Sequence, residues 1–406
     1  MKRNKMFPLK GSVQHYSWGG TAYLPALLNI ENPNHEPFAE YWLGAHDKAP
    51  SFVETNGDEI IPLNKYIEQS PVETLGENIA TNFHRLPYLL KILDVKDMLS
   101  IQVHPSRKYA EAAFKKENEM GIPLDAPNRN YKDNNHKPEL MVALSEFWLL
   151  HGFKEATLLT NTLKAVKELK PLLKIFTNKG YEGLYRYVME MPQDKVNEML
   201  QPLLKRIIPA YHQQVYKKDE SDFWAARAAQ TFNVTPDIDR GIFSIYLFNL
   251  VNLQPGEAIY QAAGILHAYL EGQNVEIMAN SDNVLRGGLT PKHVDVNELM
   301  NLVKFKEVKP AIIRPKKGSA ETIYATPAKD FELTGFHLQK NESISRESFT
   351  TEIILVLDGE ILLKEGKNEL LLKAGESAVI FYNTGIKLKA LGQSQCYLAS
   401  APVNKR

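Results

Sequence analysis

The sequence predicts a mainly β protein carrying an α-helical insertion, and three observations support that prediction. Up to about Gly152 the chain is a series of short runs rich in branched and aromatic residues, each bounded by Pro, Gly or Asn. From about Lys154 to Phe232 the texture changes, and apolar residues recur at steps of three and four, the period of amphipathic helices. Strand texture then returns and continues, past one Lys- and Pro-bearing connector, to the end of the chain. At 406 residues the chain is too long for one ordinary core. The expected division is a discontinuous β domain of residues 1–153 and 237–330, an inserted helical domain of 154–236, and a C-terminal β barrel of 331–406.

In order, FAEYWLGAH, PYLLKILDV, LSIQVHP and ELMVALSEFWLLHGF read as strands. ATLLTNTLKAVKELKPLLKIF and DKVNEMLQPLLKRIIPAYHQQVY read as helices. GIFSIYLFNLVNLQPGEAIY is expected to be strand, and Thr290 to about Val303 a further helix with Asp295 in its first turn. Beyond KEVKPAIIRPKKG, the runs FELTGFHL, TEIILVLDGEILL, NELLLKAG and SAVIFY are strand-like. LQPGEAIY and LKAGESAVIF echo one another: a Gly-Glu turn joins two strands in each. Repeated hairpins of this kind suit two related jelly-roll barrels.

Composition narrows the function. The 48 basic and 48 acidic side chains cancel, which gives no support to nucleic-acid or membrane binding, so an anionic ligand must be held by a few local cations. The single cysteine, Cys396, excludes an internal disulfide and fits a reducing, cytoplasmic setting. MKRNKMFPLKGS lacks the apolar stretch of a signal peptide, and no apolar run approaches membrane-spanning length.

Four stretches could carry chemistry. On a strand, SIQVHP places Ser100, Gln102 and His104 on one face, where water or a bound ion would explain them equally. In NHKPEL, Glu139 opens the apolar run LMVALSEFWLL, and a carboxylate entering a buried strand needs a compensating charge or a metal. Alternation turns Lys137 the same way as Glu139. In AGILHAYLEG, Ile265, His267, Tyr269 and Glu271 share a face. Gln102, His104, Glu139 and His267 thus form a set of oxygen and nitrogen donors without thiolate, which suits a Lewis-acid ion with an open position. Finally, VEIMANSDNVLRGGLTPKH offers Glu276 and Asp282 as proton-transfer carboxylates and Arg286 on a glycine-flanked loop as an anion-binding fork. Lys292 reads as part of a solvated helix start.

These residues resemble the type I phosphomannose isomerase family. YSWGGTAYLP, AEYWLGAHDKAPS, LSIQVHPS, YKDNNHKPEL, LQPGEAIYQAAGILHAYLEG and VEIMANSDNVLRGGLTPK match its motifs in order from Tyr16 to Lys292. The resemblance implies a catalytic cupin barrel, a helical insertion and a second cupin barrel. It further implies one zinc ion per chain on Gln102, His104, Glu139 and His267, and an active-site role for Arg286. Lys91, Ser100, His136, Lys137, Tyr269, Glu276 and Asp282 are then expected in the same cleft. The sequence departs from the family where Gln261 and Leu266 replace two prolines around the last zinc histidine, a change of turn rigidity.

The implied activity is interconversion of mannose 6-phosphate and fructose 6-phosphate through a cis-enediol. One base must serve both carbons, and Glu276, Asp282 and Lys137 are the candidates. His136 could assist ring opening, and Arg286 or Lys91 could bind the phosphate. The expected partner is a small phosphosugar, with no nucleic acid or membrane, and the chain a monomer or weak oligomer. Two alternatives share the donor set: a non-haem iron oxygenase and a non-catalytic sugar-binding cupin.

Overall fold

The computed structural model describes residues 4–55, 59–233, 236–316 and 318–402. Helix and strand are nearly balanced, at 30% and 32%, so the fold is mixed where the sequence pointed to mainly β. Among the described residues the strands form three sheets, with every ladder between them antiparallel and none closing into a barrel by strand pairing.

The largest sheet has eleven strands and is organised around the long strand His267–Ala279. Its C-terminal half pairs with Tyr88–Val95 on one side and Glu139–Ala143 on the other. Its N-terminal end pairs with Phe147–Phe153 and Gln102–Val103. The run LMVALSEFWLL is therefore two strands, Glu139–Ala143 and Phe147–Phe153, on different parts of one long partner. Both are buried throughout, which is why their sequence is apolar on both faces.

An eight-stranded sheet holds most of the C-terminal module, but its far edge comes from the other end of the chain. Met6–Lys10 pairs with Ser377–Ile380, and Phe52–Glu54 and Ile60–Pro62 extend the sheet beyond it. The sheet's residues Leu333, Ile353 and Tyr397 share one apolar cluster with Leu90, Leu140 and Val275 of the eleven-stranded sheet. Its other face, with Ile354, Val356 and Leu398, packs with Ile361, Leu363 and Leu388 of the four-stranded sheet.

The helical block matches the expected period, with helices Ala156–Ala165, Lys170–Glu190, Gln193–His212 and Ser221–Phe232. Three local expectations are corrected. Gly241–Leu247, expected as strand, is a helix buried at all seven positions; short apolar runs do not reveal their own period. The helix after Thr290 is Val296–Leu302, and Asp295 is its N-cap, accepting the Glu298 amide at 3.0 Å. The first 152 residues also contain helices, notably Leu63–Gln69 and Arg107–Glu119.

The paired turns are alike in detail. Gly256 and Gly375 sit at φ of 86° and 85°, in the left-handed region that favours glycine. The following Glu257 and Glu376 each reach back with Oε2 to a backbone N–H three residues earlier, at 3.0 and 2.8 Å.

Candidate metal centre and active-site cleft

Strand register brings the site together. Gln102 lies opposite both His267 and Arg286, and Glu276 lies opposite both Lys91 and Met141. Glu139, His104 and His267 each aim one ligand atom at a common point, and these atoms lie within 4.8 Å of one another. Glu139 is 3.3 Å from the Nε2 of His104 through Oε1 and 3.3 Å from the Nε2 of His267 through Oε2. All three side chains are buried.

The two rings are locked in one tautomer. His104 Nδ1 donates to the Asn283 carbonyl at 3.0 Å, and His267 Nδ1 donates to the Ile265 carbonyl at 3.0 Å. In its neutral form each ring turns an Nε2 lone pair toward the carboxylate, an arrangement that lacks a hydrogen and calls for a cation. Among the described residues, His104 Nε2 is buried without a hydrogen-bond partner. Burial drives the His104 pKa down to about 4, against the pull of Glu139, so the ring is neutral and ready to ligate. Burial alone would raise the Glu139 pKa, but Lys137, 3.3 Å away, holds its carboxyl below the usual range. This donor set fits a borderline-soft divalent ion.

Beside Glu139 and His267 is a small chamber of about 50 Å³ that also touches Gln102, Lys137, Tyr269 and Glu276. Lys91 Nζ lies 3.1 Å from Glu40, 3.6 Å from Glu276 and 4.8 Å from the centre of the Trp42 ring. Burial pulls the Lys91 pKa down, but Glu40, Glu276 and Glu139 overcome it and raise the pKa overall. Glu276 accepts the Tyr269 hydroxyl at 2.8 Å. Burial, then Glu139, push its pKa up to about 7 against Lys91 and Lys137. A dication among the ligands would lower it from there, leaving Glu276 a carboxylate at neutral pH.

The chamber shares Gln102, Lys91 and Lys137 with a cleft of about 620 Å³ whose wall includes Ser100, Asp282 and Arg286. Among the described residues, the side chains of Arg286 and Lys292 have neither a hydrogen bond nor an ion pair. Burial, and for Lys292 also the nearby Arg286, lower both pKa values. Two unpaired cations on one cleft wall suit an anionic group.

Of the twelve residues singled out from sequence, eleven belong to the ligand cluster or line the chamber or cleft. His136 does not. It lies in the non-strand segment before Glu139–Ala143 and pairs with Asp330 at 2.8 Å and Arg107 at 3.1 Å. Glu271, expected on the face of His267, leaves it at a register shift between Tyr269 and Glu271, and instead pairs with Lys218 and Arg227. Lys91 is committed to two carboxylates, which leaves it little to offer a phosphate.

Sequence reading missed Glu40, Trp42 and Lys292. Glu40 carries the signal that revealed Glu139, a carboxylate on a strand buried at every position. Lys292 was assigned to a helix start that lies further on, at Asp295. Gln261, one of the two departures from the family motif, is fully buried opposite Glu139 and bonds His151 at 2.8 Å. It thus sits beside Glu139 on the neighbouring strand.

Comparison with known proteins agrees with this geometry. Residues 6–156 match the family described as phosphomannose isomerase type I, catalytic domain. The chain is 39% identical over 389 residues to the mannose-6-phosphate isomerase of Escherichia coli (strain K12), covering 93% of this chain and 95% of that one. It is 31% identical over 424 residues to the Rattus norvegicus enzyme of the same name, covering 96% of each. The fold superposes on a crystal structure of mannose 6-phosphate isomerase from Salmonella typhimurium bound to fructose 6-phosphate and zinc. The TM-score is 0.87 at 35% identity, with 98% of this chain and 100% of that chain covered.

Proposed function

The chain belongs to the mannose-6-phosphate isomerase family, and from that premise we propose that it interconverts mannose 6-phosphate and fructose 6-phosphate with one zinc ion per chain. The observation that carries this reading is the convergence of two imidazole lone pairs on one buried carboxylate, below a cleft with an unpaired arginine. His104, Glu139 and His267 would hold the ion, with Gln102 as a fourth, neutral donor that leaves it net positive. When bound, the ion supplies Lewis-acid stabilisation of negative charge on the sugar oxygens.

The residues of the chain do the rest. Arg286 and Lys292 receive the phosphate, being the cleft cations without a competing carboxylate among the described residues. A base removes the proton from C2 of the open-chain aldose and returns it to C1, giving the ketose through a cis-enediol. Glu276 and Lys137 are placed for this in the inner chamber. Asp282 is already held by His46 and Lys48, which suits orientation better than proton transfer. Tyr269 hydrogen-bonds Glu276 and fixes its direction, and Ser100 lines the approach. His136 is turned toward Asp330 and lines neither the chamber nor the cleft.

On the same reading, residues 1–153 with 237–330 and residues 331–406 form two cupin units around the inserted helices of 154–236. The matching Gly256 and Gly375 turns support that kinship. The N-terminal strand Met6–Lys10 ties the two units together. Among the described residues no helix is long and apolar enough to cross a membrane. Balanced charge and a lone buried cysteine favour a cytoplasmic enzyme, monomeric or weakly oligomeric, that acts on a small phosphosugar without nucleic acid. Turnover of mannose 6-phosphate in heavy water tests the chemistry. Fructose 6-phosphate should form with deuterium at C1, and failure to form it at all would refute the proposed activity.

A further inference from the structure

We propose that His46 is a positioning residue, which together with Lys48 holds the Asp282 carboxylate in the cleft wall as a fixed acceptor for a substrate hydroxyl. The inference rests on the isomerase reading, since it names a group that orients that substrate.

His46 and Lys48 lie on the loop between strands Glu40–Gly44 and Phe52–Glu54. The tautomer of His46 follows from its contacts. Its Nδ1 accepts the Lys48 backbone N–H at 3.3 Å, so in the neutral ring the hydrogen is on Nε2, which donates to Asp282 Oδ1 at 3.2 Å. The ring is buried and packs edge-on to Trp42, with centroids 4.9 Å apart and planes at 72°. Lys48 Nζ takes the second oxygen, Oδ2, at 2.6 Å. From below, Asp133 Oδ2 accepts the Asp282 backbone N–H at 2.8 Å. Both carboxylate oxygens and the backbone of Asp282 are therefore fixed by residues remote in sequence.

Asp282 borders two spaces, the cleft and a separate cavity of about 370 Å³ that His46 and Lys48 also line. The two donors thus take it from the side of the second cavity. An ionised carboxylate has about four acceptor directions, and two donors leave the others available to the cleft. Burial raises the Asp282 pKa, but His46 and Lys48 outweigh it and keep the group charged. A fixed anion here accepts sugar hydroxyls and repels a phosphate, while Arg286 and Lys292 attract one. The phosphosugar is thereby oriented in the cleft.

The test is steady-state kinetics on mannose 6-phosphate for His46→Ala, His46→Gln, Asp282→Asn, the double variant His46→Ala/Asp282→Asn, and Lys48→Met, with zinc content and melting temperature measured on each. His46→Ala should lower kcat/KM about tenfold, mainly through KM, at unchanged zinc content. Gln carries an N–H donor, so His46→Gln should recover most of that loss. The double variant should be no worse than Asp282→Asn alone. If His46→Ala does not fold, Lys48→Met tests the same hold on an exposed side chain, with KM expected to rise about threefold. Equal defects in His46→Ala and His46→Gln, multiplicative losses in the double variant, or a KM unmoved by both His46→Ala and Lys48→Met would overturn the proposal. Absence of turnover by the unaltered enzyme would instead overturn the isomerase reading itself.

Discussion

The two β regions use one backbone device for opposite purposes. The turns at Gly256 and Gly375 share φ, hydrogen bonding and a back-reaching glutamate. Yet the strands beside the first enclose Lys91, Glu139, His267 and Glu276, whereas those beside the second enclose Ile354, Val356, Ile361 and Leu363. The only histidine after residue 331, His337, is exposed. The backbone therefore does not decide which region is catalytic; the side chains on the inner face do. The apolar interior gives its region stability, and the polar interior spends stability to hold a charged chamber.

That contrast can be broken from either side. The largest effect is expected at the polar interior: His267→Ala should abolish metal retention and reduce turnover on the order of 10³-fold or more. Elemental analysis and kinetics on one sample check this. Full activity without metal would erase the distinction between the regions. In the apolar interior, Ile354→Ala should cost about 3 kcal/mol in denaturant unfolding, because Ile354 is fully buried and the cavity cannot be refilled by water. Activity and metal content of the folded variant should stay at the unaltered level. A loss of metal on this substitution would mean that the two interiors are coupled.

A smaller effect sharpens the comparison, because the apolar region has a charged exception. Glu352 is buried beside Arg346 at 3.2 Å, and its Oε2 has no hydrogen-bond partner among the described residues. Burial, partly offset by Arg346, raises its pKa to about 7 from an ordinary value of 4.5. The folded chain thus keeps a proton that the unfolded chain releases between these two values. Stability from this group is present below pH 4.5, falls as pH rises toward 7, and is level above that. Glu352→Gln removes the titration. Between pH 4.5 and 8 the unaltered protein should lose on the order of 3 kcal/mol more than the variant. Parallel stability profiles would show that Glu352 titrates normally.

What could be read from the sequence follows the range of the interactions involved. Glu139 stood out because a carboxylate began an apolar run, and Gln102 and His104 because alternation placed them together. The inserted helices were legible from their period. The pairing of Met6–Lys10 with Ser377–Ile380 was not, since nothing local in either segment names a partner at the other end of the chain. Gly241–Leu247 was misread because burial on every side erases the helical pattern. His46 was hidden for the first reason again: its partner Asp282 lies 236 residues away. His136 shows the converse error. It stands in a conspicuous motif, yet it is turned toward Asp330 and lines neither the chamber nor the cleft.

The most direct test of the account is isomerase activity on mannose 6-phosphate before and after chelation, with zinc measured on the same sample. Activity should track bound zinc from one ion per chain down to none, and should return when zinc is restored. Undiminished turnover by zinc-free protein would contradict the claim that His104, Glu139 and His267 form the reaction's metal centre.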